Sequence, residues 1–118
     1  MSYMNVLQGT PTWLPFIATN VNSGLPRTGI LFNQVDVTYK KSTQAAFISK
    51  PLAPTDFREN GQGVYEIAFT GTELNTIGSF LYVVVGNPML PPPNIKQYIG
   101  QANIQTASTY VPGTVSLP

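Results

Sequence analysis

From Val64 to Thr70 the side chains divide into two sets, with Tyr65, Ile67 and Phe69 on one face and Val64, Glu66, Ala68 and Thr70 on the other. A period of two predicts a strand whose bulky set faces a core. Just upstream, Asn60-Gly61 is a strong hairpin signal, because a type I′ turn needs positive φ at both central residues and Asn and Gly tolerate it. Downstream, Thr70-Gly71-Thr72-Glu73 fits a capping box, in which the Thr70 hydroxyl accepts from the Glu73 amide and the Glu73 carboxylate accepts from the Thr70 amide. One helical turn should then carry Leu74 and Ile77 inward, and Gly78 is placed to end it with positive φ. Residues 80–85 are apolar at every position, including Val84, which reads as a central strand covered on both faces. Strand, one-turn corner and buried strand together describe a chain crossing between the two sheets of a β-sandwich.

The same pattern organises the rest of the chain. Residues 14–19 form a first plausible strand, with Pro15 tolerated only at an edge or a start. Ile30-Leu31-Phe32 reads as a short strand, and Val35, Val37 and Tyr39 alternate with polar residues as a strand with one wet face. Residues 44–49 are expected to return around Ala46 and Ile48, and residues 94–99 to supply a last strand. Short strands set off by turns, without helical periodicity longer than one turn, predict an all-β antiparallel sandwich over residues 14–100. Residues 1–13 read as an extended N-terminal arm and residues 101–118 as an extended C-terminal tail.

Trp13 lies between Pro11 and Pro15, where its ring either inserts into a partner or packs back on its own domain. Met89 and Leu90 precede Pro91-Pro92-Pro93. That run favours polyproline II, as a preorganised docking tip or as a rigid connector. The tail, with Tyr110 and Val111, has too little apolar content to fold alone, so it frays or lies along another subunit.

Gly63-Val64-Tyr65-Glu66-Ile67-Ala68-Phe69-Thr70, followed by Glu73-Leu74 and Gly78, resembles a pattern of small immunoglobulin-like domains in tailed-phage virion proteins. Val35-Asp36-Val37-Thr38-Tyr39-Lys40-Lys41 is similar to an earlier strand of such domains. The resemblance spans residues 29–86 and does not extend to the tails. It implies an immunoglobulin-like β-sandwich located in the virion, serving as a capsid decoration, neck or tail accessory protein. Its partners would then be other virion structural proteins, with self-association possible through arms and loops.

Composition narrows the chemistry. Charged residues make up 9% of the chain, against about a quarter in an ordinary soluble domain. So few charges favour a surface largely covered by neighbours, although polar Asn, Gln, Ser and Thr could keep a lone domain soluble. The net charge of +1 provides no phosphate-binding stripe, so no nucleic-acid partner is expected. No membrane partner is expected either, since the longest apolar run falls far short of the ~20 residues that span a bilayer. The N-terminus lacks the pattern of a secretory signal.

With no Cys and no His, the chain lacks thiolate and imidazole ligands, the usual nucleophile–base pairs and the common near-neutral proton shuttle. The expectation is therefore no enzyme, no metal and no cofactor. Among the acids, Asp56 and Glu59 straddle the hairpin and could form an acid pair or a weak Ca²⁺ site; the plainer reading is that they keep the turn wet. Gly61-Gln62-Gly63 is too short for a phosphate loop and leads into a strand. Tyr3, Tyr39, Tyr65, Tyr82, Tyr98 and Tyr110 could present a sugar-stacking face, but most lie at alternating strand positions and read as core. A carbohydrate-binding or host-attachment module, with a host glycan as partner, is the alternative function.

Overall fold

The strand that carries Tyr65, Ile67 and Phe69 buries all three completely, and the rest of the molecule closes over that face. The structure, a computed structural model, describes residues 2–87, 94–108 and 114–116. Its strands are β1 (Ser2–Leu7), β2 (Thr12–Ile17), β3 (Val35–Lys40), β4 (Ile48–Lys50), β5 (Phe57–Gly61), β6 (Val64–Phe69), β7 (Gly78–Gly86), β8 (Tyr98–Gln105) and β9 (Thr114–Ser116). One sheet has six strands in the order β4-β3-β7-β8-β1-β9, and the other three in the order β2-β6-β5. The two sheets pack as a small all-β sandwich, so the predicted all-β sandwich class holds, with one parallel pair, β1 beside β8, among the antiparallel ones.

The core lies between the layers. Leu14, Phe16, Tyr65, Ile67 and Phe69 of the small sheet meet Val35, Val37, Phe80, Tyr82, Val84, Ala102 and Ile104 of the large one. Tyr39 is half-buried and stacks on Phe80 at 5.5 Å between ring centroids. Leu74 is fully buried beneath the corner between β6 and β7.

That corner forms as its sequence predicts. The Glu73 amide donates to Thr70 Oγ1 at 3.1 Å, and the Thr70 amide donates to Glu73 Oε1 at 2.8 Å. The Leu74 amide closes one turn on the Thr70 carbonyl at 3.1 Å. Gly78 has φ of 115° and opens β7. Ile77, expected inside, is 43% exposed. The turn ends before a second apolar position can rotate inward.

The hairpin sits two residues later than predicted. Gln62 and Gly63, with φ of 56° and 79°, form the turn, while Gly61, with φ of 92°, lies at a bulge beside Asn60. Register explains the shift. A turn at Asn60-Gly61 would set Phe57 opposite Val64 on the outer face. The observed pairing sets it opposite Ile67, on the buried face. A one-residue slip moves a whole side-chain set across the sheet, so burial of Phe57 overrides the local turn preference.

Neither predicted arm is an arm where the structure describes it. Residues 2–7 are β1, which runs parallel to β8 (Met4 opposite Ala102, Val6 opposite Ile104) and antiparallel to β9. Burial of Val6 against the core provides the reason. Residues 101–105 complete β8, and Thr114–Ser116 add the edge strand β9. The last long strand thus begins at Tyr98 instead of Asn94, because Gly78 through Val84 of β7 continue to pair along it. Residues 30–32 lead into a 3₁₀ turn at Phe32–Gln34 instead of forming a strand. The return predicted over residues 44–49 is confined to Ile48–Lys50. Pro15 lies in β2, an edge strand of the small sheet, where its missing donor costs no ladder bond on the open side.

Candidate interaction surfaces

A two-layer sandwich buries only the inner side of each sheet, so the outer faces are where this chain can meet anything else. On the small sheet, Trp13, Pro15 and Ile17 of β2 point outward opposite Ala68, Glu66 and Val64 of β6. Arg58 of β5 sits opposite Glu66. The Arg58 guanidinium carbon lies 4.0 Å from the centroid of the Trp13 ring, a cation–π stack diagonally across β6. Arg58 Nε and Asn60 Nδ2 both donate to Glu66 Oε1, each at 2.8 Å. The Asn60 hydrogen bond, then those from Arg58, hold the Glu66 carboxyl below its ordinary value against the opposing effect of burial. Trp13 therefore packs on its own domain through Arg58, and its remaining exposed edge is the part a partner could reach.

The large sheet presents a different face. Along β7 the inner residues Phe80, Tyr82 and Val84 are buried, while Leu81, Val83 and Val85 turn outward and are only partly covered. The expectation that residues 80–85 are covered on both sides thus fails on the outer side, because no third layer exists among the described residues. Val83 lies between Thr38 of β3 and Ile99 of β8. Ile99 is 61% exposed. Leu81 lies between Lys40 and Gln101, and Val85 lies beside Asp36. The result is an uncharged band with one acid and one base on its β3 margin.

The remaining candidates have structural roles. Asp56 Oδ2 accepts from the Ala53 amide at 3.0 Å and Glu59 Oε1 from the Gly29 amide at 3.1 Å, so the two acids serve separate loops. No group of three or more acids that could hold a metal occurs among the described residues. Tyr65 is a core residue whose hydroxyl donates to the Arg27 carbonyl at 2.8 Å and accepts from the Ile30 amide at 3.2 Å. Tyr82 donates to the Pro15 carbonyl across the layers. Burial raises the Tyr82 and Tyr98 hydroxyls above the ordinary phenol value, so both remain neutral. Lys50 is buried and pairs with the half-buried Glu73.

Of the predicted contact residues, only Trp13 falls among the described ones; Met89, Leu90, Pro92, Tyr110 and Val111 lie outside them. Sequence reasoning missed Arg58, Asn60 and Glu66 as companions of Trp13, and missed the band of Leu81, Val83, Val85 and Ile99. The alternation of Asp36, Thr38 and Lys40 marks an outer face on β3, but nothing local sets that face beside β7. No helix of the described residues is long and apolar enough to cross a membrane.

Comparison with known proteins adds little to this geometry. No family model matches the chain, and no curated protein does. Among solved structures, the crystal structure of a "putative glycoside hydrolase" from Bacteroides vulgatus aligns with 89% of this chain at 14% identity and a TM-score of 0.42. This chain covers 17% of that protein's length. So distant a likeness carries no argument about activity.

Proposed function

We propose that this chain is a non-enzymatic virion structural protein, a decoration, neck or tail accessory that assembles into the particle through contacts with virion proteins, further copies of this chain among them. The observation that carries this reading is the outer face of the six-stranded sheet, where Leu81, Val83, Val85 and Ile99 form an apolar band on a chain with few charges. An apolar centre rimmed by Thr38, Ser49, Gln101 and Asn103 has the make-up of a protein contact. The virion setting comes from the resemblance carried by residues 63–70 and 35–41. The contact is assigned to a sheet face in place of the N-terminal arm, because that arm is β1. Mass spectrometry of purified particles tests the reading: the chain should be present at a fixed copy number, and Ile99→Glu should remove it. Absence of the wild-type chain from the particles would refute it.

A second reading has its own observation. Trp13 beside Arg58, Asn60 and Glu66 places an indole edge next to amide and ionic groups on an open sheet face, the combination a glycan-binding host-attachment module uses. Binding on a broad glycan array that is lost on Trp13→Ala would support it. An empty array would remove it.

A further inference from the structure

We infer that the outer face of the six-stranded sheet docks on a second copy of this chain, with two β3 strands antiparallel across the contact and Asp36 of each copy facing Lys40 of the other. This deepens the assembly reading by naming the partner at its apolar band. Side chains alternate between the two faces along β3. Asp36, Thr38 and Lys40 share the outer side of one strand, with Thr38 midway between the two charges. Asp36 is exposed, and neither residue makes an ion pair with another described residue.

Register then extends that symmetry over the sheet. Thr38, Val83 and Ile99 lie in one row across β3, β7 and β8. On one side of the row stand Asp36 and Val85; on the other stand Lys40, Leu81 and Gln101. A two-fold axis that lies in the contact plane and runs along the central row reverses strand direction and exchanges the two flanking rows. Thr38, Val83 and Ile99 then meet their own counterparts, Val85 meets Leu81, and Asp36 meets Lys40 twice over. An isologous contact requires a self-complementary patch, and this face has one in both shape of hydrophobicity and charge. A two-fold axis parallel to the strands along β7 would instead lay β3 over β8 of the other copy, setting Lys40 against Gln101 and forming no ion pair. One along β3 itself would set Asp36 against Asp36 and Lys40 against Lys40, which like-charge repulsion disfavours. Face-to-face sheets stack about 10 Å apart, a gap that a lysine and an aspartate together can bridge.

The test is the solution mass of the full chain across a concentration series, by sedimentation equilibrium at low salt. Wild type should form a dimer. Asp36→Lys alone and Lys40→Asp alone should each raise the dissociation constant by about tenfold or more. An equimolar mixture of these two variants should regain the dimer, because every cross-copy pair is again opposite in charge. The double variant Asp36→Lys/Lys40→Asp should also regain it. Ile99→Glu should abolish dimerisation without unfolding, since Ile99 is already mostly exposed; an unchanged thermal melt checks the fold.

A wild-type chain that is monomeric throughout overturns the inference, as does a dimer indifferent to Ile99→Glu. Failure of the mixed variants to pair overturns it too. A monomer that still enters particles through Ile99 would sink self-pairing and leave the virion reading standing. A charge-swappable dimer found in no particle would do the reverse.

Discussion

Lys50 Nζ lies 2.8 Å from Glu73 Oε1, the same carboxylate oxygen that accepts the Thr70 amide at 2.8 Å. One side chain thus caps the corner between β6 and β7 and ties it to the short strand β4. The lysine, 6% exposed, also lies 5.0 Å from the Phe69 ring centroid. Removing one partner leaves a buried charge uncompensated, so Glu73→Ala should cost about 3–5 kcal/mol in urea unfolding. Lys50→Met/Glu73→Gln retains an amide oxygen for the Thr70 cap and replaces the buried cation by an apolar chain. It should be clearly more stable than Glu73→Ala, and a double variant as unstable as the single would contradict this account.

Tyr65→Phe keeps the ring stacked 5.1 Å from Phe16 but deletes the hydroxyl that bridges Arg27 and Ile30. With the Ile30 amide left unpaired in a buried setting, the loss should be about 1–3 kcal/mol. Hydrogen exchange at the Ile30 amide should accelerate while exchange in β7 changes only with global stability. Equal acceleration throughout would mean that the hydroxyl does not anchor this loop.

Gly100 lies directly opposite Tyr82, and a Cβ there would clash with the hydroxyl end of the ring, at Cζ. Its φ is not in the left-handed region, so the demand for glycine comes from packing alone. Gly100→Ala should therefore destabilise the domain by about 1–3 kcal/mol through overpacking. Tyr82→Leu should soften that penalty in the double variant, and thermal melts of all three proteins would reveal the coupling. Additive losses would place the strain elsewhere.

Glu66 gives the domain an acid-sensitive contribution. Its folded pKa lies below the ordinary 4.5, chiefly through the Asn60 hydrogen bond. The contribution is therefore complete above the unfolded value and is lost as pH falls through the lower folded one. In denaturation at a series of pH values, the stability gap between wild type and Glu66→Gln should be widest near neutrality and should narrow under acid. A gap that stays constant with pH would show that Arg58 and Asn60 do not favour the ionised carboxylate.

What the sequence determined by itself was local. The alternation in β3 and β6, the capping box at Thr70 and Glu73, the positive φ of Gly78 and the all-β class each depend on residues within about one turn or one strand of one another, where periodicity and backbone sterics act directly. Tertiary structure decided what depends on distant partners. β1 becomes a strand only because Val6 and Met4 pair beside Ile104 and Ala102, and a parallel pair carries no turn to announce it. The hairpin moves to Gln62-Gly63 because Phe57 must share a face with Ile67. The Trp13–Arg58 stack needs three strands in order, and the band of Leu81, Val83, Val85 and Ile99 needs β3, β7 and β8 in register. Both surfaces are properties of strand pairing, which burial of the opposite face selects and which no single segment encodes.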